Sequence, residues 1–320
     1  MTLAKSTTFL AAVSLISKVS THGIVQGIVA GGEWYVGYNP NMQYLPQHPK
    51  VAGWYAPEDI DTGYVNNYQH QDIICHKGAT PREAYVPVVA GGSLELQWTN
   101  WPADHHDAIL DYLAACGDDC TTVDKTTLLW NKIDEAGLID GSDPPGFWAS
   151  NDMIANNNSW VVTIPPFIAP GKYVLRHEII ALHASHNYGT AGAQAYPQCI
   201  NLDITGSGTD ALRSGTLGTE LYTADDAGIY LNIYWPPLTS YDIPGPPVIS
   251  AAVSGFAPRS YDSALSTSAT SVTDNAVQSP SAALTTTDLE VTTTTSTTTT
   301  TSASVEKQTT TGLSTPGSCT

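Results

Sequence analysis

Short apolar-alternating segments, cut apart by Gly, Pro and Asn, constrain this chain most. Ser93 to Trp98 (SLELQW) alternates. Trp160 to Ile164 (WVVTI) is β-branched and stops at Pro165-Pro166. Lys172 to His183 (KYVLRHEIIALH) follows Gly171, and Cys199 to Thr205 (CINLDIT) alternates until Gly206. No long heptad or strong helical pattern accompanies them. Strands of this length between turn residues predict an all-β fold, an antiparallel β-sandwich. The irregular stretch Gly31 to Tyr68, rich in Tyr, Pro and Gly, predicts long loops, which on a sandwich usually carry function.

The two ends read differently. Residues 1–21 hold Lys5, the apolar run Phe9 to Ile16, and Val19-Ser20-Thr21. That pattern is a signal peptide, too short for a stable membrane anchor, so the protein is expected to be secreted. Cleavage after Thr21 leaves 299 residues that begin at His22. Beyond Pro258 the composition shifts, and residues 261–320 contain 31 Ser or Thr. Such a segment cannot bury enough apolar surface to fold and reads as a disordered, O-glycosylated tail. The expected organisation is 1–21 leader, 22–254 folded domain, 255–320 tail. One sequon, Asn157-Asn158-Ser159, lies in a polar loop.

Formal charge is −18, and removing Lys5 and Lys18 with the leader takes it to about −20. That balance repels phosphate backbones and anionic lipids, which argues against nucleic-acid and membrane partners and tolerates neutral polysaccharide. Sixteen Tyr and eight Trp suit sugar contact, although core packing accounts for most aromatics. Among five cysteines, Cys116 and Cys120 are close enough to staple a tight loop. Cys75 with Cys199 would then close a long one, worth ~4–5 kcal/mol in the chain-entropy model. Cys319 is left over, whether free, intermolecular or the remnant of a missing module.

His22 is the sharpest chemical candidate. As the first residue of a processed chain it offers an α-amine and an imidazole together, a chelate suited to Cu(II) in a tetragonal plane of nitrogens. As an internal residue it is an ordinary histidine. His177 and Glu178 open HEIIALH, which departs from the zinc-protease helix because the second histidine lies six residues on, at His183. In a strand that spacing puts both on one face. A satisfied core histidine is the plain alternative for each. Asp104-His105-His106-Asp107 precedes a strand-like run ending at Cys116 and places a histidine on a loop fit for a ligand, or simply on the surface. Gln194 and Tyr196 share strand parity beside Cys199, so both can face one site. Tyr196 is then a weak axial metal donor or a packed ring.

These segments, in this order, resemble the fungal lytic polysaccharide monooxygenases of auxiliary-activity family nine. The resemblance runs from His22 to about Pro247. It rests on HG at His22, DIICHKGA around Cys75, and HxxxxxxYLAxC from His105 to Cys116. It continues with NNNSW from Asn156, APGKYVLRHEIIALH to His183, GAQAYPQC to Cys199 and SYDIPGPP from Ser240. It implies an immunoglobulin-like sandwich with one copper ion on a flat face. The amine and imidazole of His22 and the imidazole of His105 would hold the ion, with Tyr196 axial. His183 and Gln194 would orient oxygen species from just outside it. Cys75–Cys199 and Cys116–Cys120 would be the disulfides. Tyr241 matches a position whose ring stacks on sugars, and Tyr35, Tyr38 and Tyr44 are weaker candidates for that role.

The implied activity is oxidative cleavage of a β-1,4-glucan, cellulose first, at C1 or C4. It would be driven by an external electron donor with dioxygen or hydrogen peroxide, in a protein expected to be monomeric. One departure stands out. The family usually follows its second ligand with x-Gly-Pro, and here His106, Asp107 and Ala108 stand there. The change is expected to shift His105, since Gly and Pro fix a loop backbone, and to add a negative charge near the metal. A copper- or carbohydrate-binding protein without catalysis is therefore the alternative. A conventional glycosidase needs two facing carboxylates, and no pair is singled out.

Overall fold

A computed structural model of the protein describes residues 22–187 and 192–250. The leader, the Ser/Thr-rich tail and Cys319 lie outside those residues. In chain order the elements are β1 (Val25–Ala30), β2 (Glu33–Val36), α1 (Asp72–Cys75), β3 (Val86–Val89), β4 (Ser93–Trp98), β5 (Asp107–Gly117) and β6 (Leu129–Ala136). They continue with β7 (Leu138–Asp140), β8 (Phe147–Trp148), α2 (Ala149–Ala155), β9 (Ser159–Thr163), β10 (Gly171–Ala181), β11 (Gln194–Thr205) and β12 (Thr216–Leu217).

A four-stranded sheet, β2-β1-β4-β9, faces a six-stranded sheet, β12-β6-β5-β10-β11-β3. The pairs are antiparallel except β3 with β11, which run parallel. A sandwich is thus observed as expected, with one parallel edge pair added.

Side-chain parity divides the six-stranded sheet. Ile109, Leu113, Leu175, Ile179, Tyr196 and Ile200 point toward the four-stranded sheet and meet Ile28, Leu94, Leu96 and Val162 there. Leu110, Tyr112, Val174 and Ile180 point the other way and are covered by Trp54, Ile73, Ile74 and Tyr222 from the long connections. The central strands therefore have no wet face. Their near-continuous apolar runs follow from burial on both sides.

Cys75–Cys199 ties α1 to β11, and Cys116–Cys120 closes the loop after β5. The chemistry-bearing end is where β5 begins, β10 ends and β11 begins. There Ala181 pairs with both Asp107 and Gln194.

Candidate metal centre

Three chain segments converge at that end. His105 sits in the turn before β5, and its carbonyl accepts from the amides of Leu182 (3.2 Å) and His183 (3.0 Å) just past β10. That clamp brings the His105 and His183 rings to 4.2 Å between centroids. The turn needs His106 in the left-handed region at φ +54, and the backbone accommodates it without Gly or Pro.

His22 arrives from the start of β1. Its ring lies 5.9 Å from Tyr196 and 6.1 Å from Tyr64. Tyr196 is fully buried and its hydroxyl donates to Gln194 Oε1 at 2.9 Å, so strand parity does bring this pair together. The expected site residues His22, His105, His183, Gln194 and Tyr196 form one neighbourhood.

Burial holds the His105 imidazole down to about 4, with nearby His183 adding to the effect, so the ring is neutral and its lone pair available at neutral pH. His105 Nδ1 is 3.3 Å from Asp104 Oδ1, which leaves Nε2 as the nitrogen that can ligate. Burial also lowers the His183 imidazole, whose Nδ1 is buried without a hydrogen-bond partner. Burial raises the Tyr196 phenol well above its ordinary value and keeps it protonated.

Among the described residues, no three His, Cys, Asp or Glu side chains converge as a metal cage. The donor set fits copper on one condition: a nitrogen from outside the side chains must complete it. In the unprocessed chain the His22 nitrogen is an amide, a poor donor. Freed, it is an amine beside the ring.

Two expectations are corrected. His183 does not share a strand face with His177, because β10 stops at Ala181 and the chain turns. His177 is a satisfied core residue, accepting from Trp98 Nε1 at 2.9 Å and pairing with Asp111 at 2.7 Å. Asp107 does not bring the expected negative charge. It is wholly buried, its carboxyl is pushed up to about 8 by burial, and Trp101 Nε1 donates to Oδ2 at 2.6 Å. Tyr241 is part-buried at the edge of the domain: it packs edge-on to Trp148 at 5.0 Å, and its hydroxyl donates to the Gly228 carbonyl at 2.7 Å.

Tyr35 packs against the core and Tyr38 is buried, while Tyr44 is 72% exposed. Tyr234 (43%) and Trp235 (73%) are exposed near the site, Tyr234 donating to the His183 carbonyl at 3.1 Å. These last two, with Trp101, were not singled out in the sequence. Adjacent aromatics at Tyr234-Trp235 before Pro236-Pro237 were the available signal. Asn157 is exposed in a turn, as a glycan acceptor requires.

Residues 22–241 match Auxiliary Activity family 9 (formerly GH61). The chain is 55% identical over 230 residues to an AA9 family lytic polysaccharide monooxygenase from Thermoascus aurantiacus, covering 71% of this chain and 99% of that one. A relative from Malbranchea cinnamomea, also an AA9 family lytic polysaccharide monooxygenase, is 54% identical over 245 residues, covering 76% and 72%. Among solved structures, the extended catalytic domain of an H. jecorina lytic polysaccharide monooxygenase aligns with TM-score 0.67 at 48% identity, covering 74% and 96%. A cellulose-active polysaccharide monooxygenase from M. thermophila aligns with TM-score 0.61 at 31% identity, covering 71% and 99%.

Proposed function

The chain belongs to Auxiliary Activity family 9 and is a lytic polysaccharide monooxygenase, and from that premise we propose that it is a secreted copper enzyme that cleaves β-1,4-glucan, cellulose first, at C1 or C4. The leader 1–21 is removed, 22–254 is the catalytic domain, and 255–320 is a Ser/Thr-rich, O-glycosylated tail. The observation that carries this is the meeting of His22, His105 and Tyr196 at one end of the sandwich, where two imidazoles lack only an amine.

Processing at Thr21 makes the His22 nitrogen a donor. The amine and ring of His22 and Nε2 of His105 would hold the ion, with the Tyr196 hydroxyl beside them. Copper supplies one-electron chemistry there, letting dioxygen or hydrogen peroxide, with electrons from an external donor, hydroxylate a sugar carbon so that the chain breaks.

The protein's residues prepare that step. Asp104 orients the His105 ring. Gln194 fixes the Tyr196 hydroxyl by accepting its hydrogen bond through Oε1 at 2.9 Å. His183, its ring 4.2 Å from that of His105, would present a ring N–H as a hydrogen-bond donor beside the ion. Tyr234 and Trp235 provide exposed aromatic surface beside His183 for a sugar chain. Among the described residues no helix is long and apolar enough to cross a membrane. The cellulose-active M. thermophila relative supports the choice of substrate.

The test is to incubate copper-loaded protein beginning at His22 with ascorbate and several glucans, and to look for oxidised oligosaccharides by mass spectrometry. They are expected on cellulose and should vanish with a chelator. Copper binding without any oxidised product on any glucan would favour the non-catalytic alternative.

A further inference from the structure

Trp101 lies between all three candidate ligands. Its ring is edge-on to Tyr196 at 4.9 Å and to His105 at 5.6 Å between centroids. It also covers Gly23, the residue bonded to His22. A Cβ at Gly23 would come within 3.0 Å of Trp101 Cε3 and 2.9 Å of Thr99 Oγ1. One indole thus abuts His105, Tyr196 and the backbone that delivers His22. A tilt of that ring moves all three.

The indole is held from two sides. Its backbone amide donates to Asn158 Oδ1 at 2.9 Å, and its face meets Trp98 at 5.1 Å. These contacts limit where the ring can sit, but only one polar contact fixes its rotation. That is the 2.6 Å bond from Nε1 to Asp107 Oδ2. Asp107 is itself fixed at the first position of β5, where its amide donates to Ser150 Oγ at 3.0 Å from α2. Of the carboxyl's own contacts, the bond to Trp101 is the short one; the Ser150 side chain is its other polar neighbour, and Oδ1 is buried without a hydrogen bond. Burying a carboxyl with so few polar partners is costly, and its 2.6 Å bond to Trp101 offsets part of that cost.

We propose that Asp107 is a positioning residue for the metal centre: through its hydrogen bond to Trp101 it sets the spacing of His22, His105 and Tyr196. This rests on the ligand reading above. Residue 107 touches neither ion nor substrate. It acts by keeping the wedge in one rotation, and nearly isosteric replacements with and without an acceptor should separate that role from mere bulk.

The test uses protein beginning at His22, with Cu(II) affinity measured by calorimetry and the near-ultraviolet circular dichroism of the metal-free protein as second readout. Asp107→Asn keeps an acceptor and should stay within twofold of the unaltered protein in affinity, with the same dichroism. Asp107→Leu removes the acceptor at similar volume. It should weaken copper about tenfold, which is about 1.4 kcal/mol, and reduce the tryptophan dichroism. In a Trp101→Phe background, which has no N–H to donate, the Leu substitution should add nothing further to the loss.

Asp107→Leu binding within twofold, or an effect fully additive with Trp101→Phe, would overturn the proposal and leave Asp107 as a mere anchor for the Ser150 contact. Should the unaltered protein bind no copper, the ligand reading fails instead. The dichroism then decides alone, an unchanged signal in Asp107→Leu refuting the lock and a reduced one upholding it. If Asp107→Leu does not fold, Trp101→Phe against the unaltered protein reads the same bond from its donor side. Unchanged affinity there also refutes it.

Discussion

Two histidines on one stretch of chain show how differently burial can be used. His177, in the middle of β10, is fully buried with both ring nitrogens engaged, by Trp98 and Asp111, and Asp111 also accepts from Trp160 Nε1 at 3.1 Å. His183, six residues on and two past the strand end, is only partly buried and holds Nδ1 without a partner. Beneath the sheet, Arg176 repeats the first pattern: it donates to Glu178 at 2.7 and 2.8 Å and to the carbonyls of Ile73 and Ile74 at 2.8 Å each. The middle of the sheet spends its polar groups on each other and gains rigidity. The end of the sheet instead leaves a ring nitrogen of His183 without a protein partner, beside His105.

The contrast can be broken by substitution. Glu178→Ala strands the Arg176 charge in the core and should cost about 3–5 kcal/mol in denaturant unfolding. A cost below about 1 kcal/mol would mean that the middle is not locked as described. His177→Leu leaves Trp98 Nε1 and one Asp111 oxygen unpartnered and should cost roughly 2–3 kcal/mol, with copper affinity unchanged.

The pH axis sharpens the same point. Complete burial beside Lys77 holds the His76 imidazole down to about 3, so folding requires it neutral. Its contribution is intact above the unfolded value near 6.5 and is lost as pH falls toward 3. Between pH 6.5 and 5 that is about 2 kcal/mol, read as a drop in unfolding midpoint that His76→Asn should lack. His183→Ala should have the smallest effect on stability, within about 1 kcal/mol, yet should lower oxidative turnover of cellulose about 10- to 100-fold. Equal losses of stability at His177 and His183 would erase the distinction.

Much of this was legible in the sequence, and the illegible parts have physical reasons. Ser93–Trp98 reads as a strand because one face packs in the core and the other alternates outward, and β4 has those bounds. Gln194 and Tyr196 meet because parity holds inside β11. Parity misled for His177 and His183, since nothing in KYVLRHEIIALH marks where hydrogen bonding stops. The end is set by the His105 carbonyl, seventy-odd residues away, capturing the amides of Leu182 and His183. The charge state of Asp107 depends on burial beneath Trp101 and α2, which no local pattern reveals.

Proteolysis creating the last ligand is the central claim, and adding one alanine before His22 tests it most directly. Calorimetric titration of Cu(II) into the two proteins should show affinity at least tenfold weaker, about 1.4 kcal/mol or more, in the extended chain. Equal affinities would contradict the account.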